Sequence, residues 1–379
     1  LLSAGLAYHC YCSQEELLKM HENARALGTS RLYDGKWRDK DPADAPRDVA
    51  PVLRFKTPIQ GTTEINDLVQ GPVNVSNQQL DDMILLRADG TPTYLLSAVV
   101  DDHDMGVTHI IRGDDHLTNA FRQTQLFKAL KWDTPIFGHI PLIHGPEGGK
   151  LSKRHGALGI DHYKKQGYLP DAIVNYLMRL GWSHGNDEIF TLAKAIKWFD
   201  ISNVGKGPSR IDFNKIDAIN SHYIKEADDE ILVGLIKEAV NEKLNLSDCS
   251  YIERRLTDAM PGLKLRAKTL LELIDSSLFY FKKRPLGFDR KALLILDKVA
   301  KDRLKKLTSS LEKINPWNPE NIQSTLKDFS KNEEINLGEI AQPLRATLTG
   351  TTISPSIFEV ASILGKEETM ARIKDILDN

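Results

Sequence analysis

The stretch "VTHIIRGDDHLTNAFRQTQLFKALKWDTPIFGHIPLI", Val107–Ile143, decides the fold. Val107–Ile111 is a β-branched run of the kind that makes a buried strand. Gly113 turns the chain, and Asp114 or Asp115 starts a helix that reaches about Lys131. "IFGHIPLI" then supplies a second strand. Strand, helix, strand is the rhythm of a parallel α/β sheet. Ligands on such sheets bind beyond the carboxyl ends of the strands. The "RGDDH" segment occupies one such end, and the residues after Ile143 occupy the next.

Those residues are "GGKLSKRHGA", Gly148–Ala157, in which Lys150, Lys153, Arg154 and His155 stand beside three glycines with no acid among them. A Walker-type phosphate loop needs a glycine five residues before the Gly-Lys pair and Ser or Thr after the lysine. His144 and Leu151 hold those places, so that reading fails. A different logic fits. Lys150 and Lys153 can converge from a tight turn on one polyphosphate and neutralise charge as pyrophosphate leaves. The plainer alternative is a solvated charged turn.

Upstream, "SQEELLKMHENARALG" has Ser13 as N-cap, Glu16 in capping-box position and Gly28 as the stop of a helix. Tyr33 to Pro51 is polar and irregular. Val52 to Leu86 reads as short strands and turns punctuated by Gly61, Gly71 and Asn74. The opening "LLSAGLAYHCYC" reads as the tail of an apolar helix, and the first residue is Leu1, so the chain is expected to begin inside a larger protein. Downstream of residue 160 helical patterns recur, as in "PDAIVNYLMRLG", "DEILVGLIKEAVNEKL", "KALLILDKVAKDRLKKL" and "SPSIFEVASILG". In the last, Ser354 reads as the cap, Pro355 takes the first turn and Gly365 ends the helix. The predicted class is therefore α/β plus all-α.

The chain has 379 residues, which suits two to four domains. With 41% apolar and 27% charged residues it has an ordinary globular composition. A net charge of −2 excludes a globally basic nucleic-acid binder but not local basic patches. No apolar run is long enough to cross a bilayer. Three cysteines argue against a disulfide framework and for a reducing compartment, the cytoplasm.

Taken together, "PTYLLSAVVDDHDMGVTHIIRGDDHLTN" (Pro92–Asn119), "IPLIHGPEGGKLSKRHGA" and the ending "LGEIAQPLRATLTGTTISPSIFEVASILGKEETMARI" (Leu337–Ile373) are very similar to bacterial glutamyl-tRNA synthetases. "KLSKR" resembles the KMSKS loop of class I aminoacyl-tRNA synthetases. The resemblance spans essentially the whole chain. It implies the second half of a Rossmann-type parallel sheet at 99–145, preceded by an inserted α+β acceptor-stem module at 1–98. A KMSKS loop and helical stem-contact domain follow at 146–228. A helical anticodon-binding domain follows at 229–379, with a subdomain boundary near 289. The implied activity is ATP-dependent attachment of glutamate to tRNA through a glutamyl-adenylate, with ATP and Mg²⁺ as cofactors. The implied partners are glutamate and tRNA-Glu, with tRNA-Gln left open, for a cytoplasmic monomer with no membrane association.

Residue by residue, the resemblance gives glutamate to Arg112 and Tyr94. An arginine ending a strand can clamp a carboxylate bidentately; the alternative is a structural ion pair with Asp114 or Asp101. Tyr94 offers a rigid ring and a hydroxyl, or else a core aromatic. ATP is implied to meet Asp115, His116, Leu142, Lys150, Ser152, Lys153 and Arg154, with Lys150 and Lys153 as the catalytic pair; Asp115 could instead be a plain N-cap. Arg266 and Lys268, in "KLRAK", are implied to meet tRNA.

The sequence also departs from the family. Some members hold zinc with Cys-x-Cys and a third cysteine in "YDGxC". Here Cys10 and Cys12 stand, but Trp37 takes the third place and Asp39 follows, so no metal site and no zinc are expected. The family's HIGH-like ATP motif is absent; "GHIPLIHG" contains the letters at the wrong end of a late strand. The chain as given is therefore expected to be inactive alone. Two alternatives remain: a tRNA-binding relative without ligase activity, and a metal phosphoesterase using the triplets Asp101-Asp102-His103 and Asp114-Asp115-His116. The second is disfavoured because adjacent residues diverge on strands and helices alike.

Overall fold

The computed structural model describes residues 1–149, 159–245 and 249–378. The chain divides into two compact units, one of Leu1–Gly156 with Met178–Ile211 and one of Ala157–Leu177 with Asp212–Asn379.

Among the described residues the first unit carries four small sheets. β1 (Ala7–Cys10), β2 (Val52–Phe55) and β5 (Ile84–Leu86) form an antiparallel sheet in the order β1-β2-β5. β3 (Thr62–Asp67) and β4 (Gly71–Ser76) form a hairpin. β6 (His109–Gly113) and β7 (Ile136–Ile140) pair in parallel, with Arg112 opposite His139. β8 (Ile143–His144) and β9 (Ser209–Arg210) also pair in parallel. Helices α1 (Gln14–Ala26), α2 (Tyr94–Asp104) and α3 (Leu117–Leu130) complete the part that matters for the site. The predicted strand–helix–strand is present as β6, α3 and β7, with Lys131 in the left-handed region ending the helix. But β6 is not the buried strand expected at Val107–Ile111: it spans His109–Gly113, none of its residues is buried, and Ile111 is 52% exposed. Ser13 and Glu16 form the predicted capping box of α1.

The hairpin is fastened to this unit by apolar and polar contacts. Ile65 and Leu80 pack with Ala120, Phe121 and Phe137 in one buried cluster. Gln125 on α3 donates Nε2 to Thr63 Oγ1 at 2.8 Å and to Asn77 Oδ1 at 3.1 Å. At the end of β3, Asp67 Oδ1 accepts from the backbone of Val69 and Gln70, both at 2.9 Å. That closes the hairpin turn and sets Asp67 beside β7.

The second unit is helical. Its buried core runs from Ile224 through Leu232, Ile236, Leu256, Leu304, Leu326 and Leu344 to Ile373, contributed by helices spaced over the whole C-terminal half.

Four further local expectations are corrected. Leu1–Gly5 is a turn, not a helix tail, because Gly5 takes a φ of +70° and Ala7–Cys10 pairs with Phe55–Val52 as β1. Asn74 is no turn residue; it lies within β4 opposite Glu64. "KALLILDKVAKDRLKKL" is two helices, Arg290–Ile295 and Lys298–Leu311, because Asp297 accepts from Ala300 N at 2.8 Å and starts a new one. Ser354 is not the cap of its helix, which begins at Ile357; its buried hydroxyl accepts from Arg345 Nε at 3.0 Å.

Candidate active site

The site grows from the carboxyl end of β6. Arg112 is half-buried there and its guanidinium is fixed on three sides. Nε donates to His139 Nε2 at 3.2 Å, across the parallel pair. Nη2 donates to Gln123 Oε1 on α3 at 2.8 Å and to the His116 carbonyl at 3.3 Å. Nη1 reaches the Tyr94 hydroxyl at 3.4 Å. Every one of these partners is neutral or an uncharged acceptor, so the ion pair with Asp114 or Asp101 is not among the hydrogen bonds that hold it. Asp102 is the acid that feels the guanidinium: burial raises its carboxyl above the ordinary range, and the charge of Arg112 pulls the other way.

Tyr94 begins α2 and is 51% exposed, so it is a surface aromatic rather than a core residue. Its ring lies 6.1 Å from that of His116. His116 sits in a 3-10 turn, Asp114–His116, and its Nδ1 is 3.2 Å from Asn119 Nδ2. Asp115 belongs to that turn and is not the N-cap of α3; position 116 takes that place. Gly113 stands between two further predicted residues. A Cβ there would come within 2.7 Å of Asp115 Oδ1 and 3.3 Å of Leu142 Cδ2. A larger residue there would push the Asp115 carboxylate and the Leu142 side chain from their places.

The structure thus brings together Tyr94, Arg112 and His116, and brings Asp115 and Leu142 to the adjoining corner. Lys150, Ser152, Lys153 and Arg154 lie outside the described residues. The chain that leads to them is anchored: Gly145 N donates to Gly149 O at 2.9 Å, and a Cβ at Gly148, whose φ is +86°, would sit 3.3 Å from Arg210 Nη2.

The cysteine region holds an apolar plug. Cys10, Tyr33 and Trp37 are buried together, with Tyr8, Tyr11 and Cys12 packed against them. Trp37 N donates to Tyr33 Oη at 2.9 Å, and Cys10 Sγ lies 3.5 Å from the same oxygen. Burial and then the adjacent Cys10 push the Cys12 thiol up to about 12. Asp39 pairs with Lys56 at 2.8 Å. A structural zinc site needs thiolates and a filled tetrahedral shell. Among the described residues no three of His, Cys, Asp or Glu come together to hold a metal. His103, from the first Asp-Asp-His triplet, stacks on Trp132 with centroids 3.8 Å apart.

In the helical unit, Arg266 and Lys268 are exposed. Arg266 lines a cavity of about 160 Å³ with Glu272, Ser276, Ile353 and Ser354. Lys268 Nζ is 3.9 Å from Asp217. Lys264 of the same cluster is occupied by Asp229 at 2.7 Å. Burial, and then Arg266, lower the Arg345 guanidinium, so two cations share this corner.

Residues 1–218 match the model for the catalytic domain of class I tRNA synthetases (E and Q), and residues 231–377 match the anticodon binding domain. The chain belongs to the class I tRNA synthetases of the E and Q group. It is 53% identical over 375 residues to glutamate–tRNA ligase 2 of Rhodospirillum rubrum, covering 99% of this chain and 80% of the relative. It is 52% identical over 382 residues to the glutamate–tRNA ligase of a Bradyrhizobium species, with the same coverage. The crystal structure of a glutamate tRNA ligase from Elizabethkingia meningosepticum, in complex with its amino acid, superposes with a TM-score of 0.85. The two are 28% identical over 100% of this chain and 80% of that one. The synthetase fold, α/β followed by all-α, is thereby established along both matched regions.

Sequence reasoning missed Asp67, His139, Gln123 and Arg345. Gln123 and His139 had a usable signal, since a polar residue in a helix face or strand of otherwise buried residues needs a partner. Asp67 had none, being 72 residues from His139 in the chain.

Proposed function

We propose that this chain takes part in the ATP-dependent attachment of glutamate to tRNA, with Arg112 and Tyr94 as the glutamate receptor. The observation that carries the reading is the guanidinium of Arg112, aimed from a parallel strand end and held by uncharged acceptors. Such a cation has an unfilled demand for a carboxylate, and an arginine fork meets one bidentately. The adjoining corner of Asp115, His116 and Leu142 takes the nucleotide. Lys150, Ser152, Lys153 and Arg154 close on its phosphates, with Lys150 and Lys153 stabilising the charge of departing pyrophosphate. Mg²⁺ arrives on those phosphates and needs few protein ligands. No side-chain nucleophile is involved; attack by the glutamate carboxylate on the α-phosphate is served by positioning and charge neutralisation.

The same reading takes 1–98 as the acceptor-stem module and 99–145 as the second Rossmann half. It takes 146–228 as the stem-contact domain and 229–379 as the anticodon-binding domain. Arg266 and Lys268 then face tRNA-Glu, and the protein works as a cytoplasmic monomer without zinc. No helix of the described residues is long and apolar enough to cross a membrane. The test is charging of tRNA with labelled glutamate by the complete gene product. Arg112→Ala and Lys153→Ala should each suppress charging, the first through the KM for glutamate and the second through kcat. Unchanged charging in both would overturn the reading.

A further inference from the structure

We propose that Asp67 and His139 are positioning residues for amino-acid recognition: a buried carboxylate–imidazole relay fixes the proton on His139 and thereby the edge that Arg112 presents to substrate. The inference rests on the reading of Arg112 as the glutamate receptor.

The hydrogen bonds determine the tautomer. A guanidinium only donates, so the His139 Nε2 that faces Arg112 Nε at 3.2 Å must carry its lone pair. The proton then sits on Nδ1, and Nδ1 lies 2.6 Å from Asp67 Oδ2, an acceptor-only group. Both side chains are fully buried, so water cannot replace either bond. Asp67 is itself locked, because Oδ1 accepts from Val69 N, Gln70 N and His139 N at 2.9, 2.9 and 3.0 Å. Burial pushes its carboxyl up, but these bonds and the imidazole outweigh that and hold it below the ordinary range. Asp67 is thus ionised at neutral pH, as an acceptor must be.

The relay explains why Arg112 donates to no carboxylate among the described residues. A carboxylate placed directly on Nε would orient the guanidinium equally well, but it would also satisfy the charge and compete with the substrate's carboxylate. An imidazole spacer passes on the orientation while keeping the acid one ring away. Gln123 contributes in the same sense: Oε1 takes Nη2, while Nε2 is a buried donor with no partner among the described residues.

Asp67→Asn tests the relay with small disturbance. Its Oδ1 can keep all three backbone bonds, while the new amide NH₂ replaces Oδ2, gives up the 3.1 Å bond that Oδ2 accepts from His139 N, and donates to His139 Nδ1. The proton is driven to Nε2, where it points at Arg112 Nε. The expected result is a rise of about tenfold in the KM for glutamate with the KM for ATP unchanged. In a His139→Gln background, whose side chain has no tautomer, Asp67→Asn should add less than twofold. The wild-type protein gives an independent readout, because ¹⁵N NMR should show Nδ1 protonated and Nε2 bare. A protonated Nε2, or an Asp67→Asn protein with unaltered glutamate KM where Arg112→Ala raises it, overturns the relay. An Arg112→Ala protein with unaltered glutamate KM instead overturns the underlying assignment, so the two failures are distinct.

Discussion

Arg372, in the helical unit, is 2% exposed and donates Nε to Glu368 at 2.7 Å and Nη1 to the Phe279 carbonyl at 3.0 Å and the Leu348 carbonyl. Arg112, in the unit with the parallel strands, donates to His139, Gln123, Tyr94 and a carbonyl, and among the described residues to no carboxylate. Both guanidiniums are drawn into the fold and both are fully oriented. The difference is the missing acid. Arg372 is neutralised in place and braces chain segments far apart in sequence. Arg112 is oriented by uncharged acceptors, and Asp102 acts on it by charge without a hydrogen bond among the described residues. A buried charge costs free energy unless it is paired; on the proposed function, the substrate carboxylate is what completes the pairing at Arg112.

Substitution at the two arginines has the largest and most opposite effects. Arg112→Ala should lower kcat/KM for glutamate by about a hundredfold or more, and Arg112→Lys should recover little because a lysine lacks the bidentate fork. Its melting temperature should stay near wild type. Arg372→Ala should do the reverse: a loss of about 3 kcal/mol in urea-denaturation stability, with charging per folded molecule within twofold. A catalytic defect in Arg372→Ala at full stability would erase the distinction.

Smaller effects sharpen it. Trp37→Ala, emptying the plug beside Cys10, should cost about 3 kcal/mol of stability, whereas a zinc chelator should leave the melting temperature unmoved. Gly113→Ala presses a Cβ toward Asp115 and Leu142 and should raise the KM for ATP a few-fold, with glutamate less affected. The smallest effect concerns pH. The Asp67 carboxyl is held below its ordinary value, so its contribution is present above the unfolded carboxylate pKa of about 4 and is lost as pH falls through the lower folded value. Acid denaturation of wild type should therefore steepen below about pH 4 relative to Asp67→Asn.

Much of this was legible in the sequence where local chemistry decides structure. The capping box at Ser13 and Glu16, the strand–helix–strand from 107 to 143, and the strand-end position of Arg112 all follow from patterns within one element. The misreadings share a cause. Leu1–Cys10 is apolar enough for a helix, and only pairing with Val52–Phe55 makes part of it a strand. Asp297 looks like one more polar residue on a helix face until its carboxylate caps a new helix. Ser354 is spent on Arg345, a partner nine residues back. At the candidate site, Tyr94, Arg112, His116, Asp115 and Leu142 could be named from motifs, and the fold brings them to one corner. Asp67 could not, because a hairpin brings it to His139 across 72 residues of chain.

The central claim is that an unneutralised guanidinium at position 112 is the glutamate receptor. Calorimetric titration of glutamate into the complete gene product, beside Arg112→Ala and Arg372→Ala, tests it most directly. Binding should be retained by wild type and Arg372→Ala and lost in Arg112→Ala. Equal affinity in wild type and Arg112→Ala would contradict it.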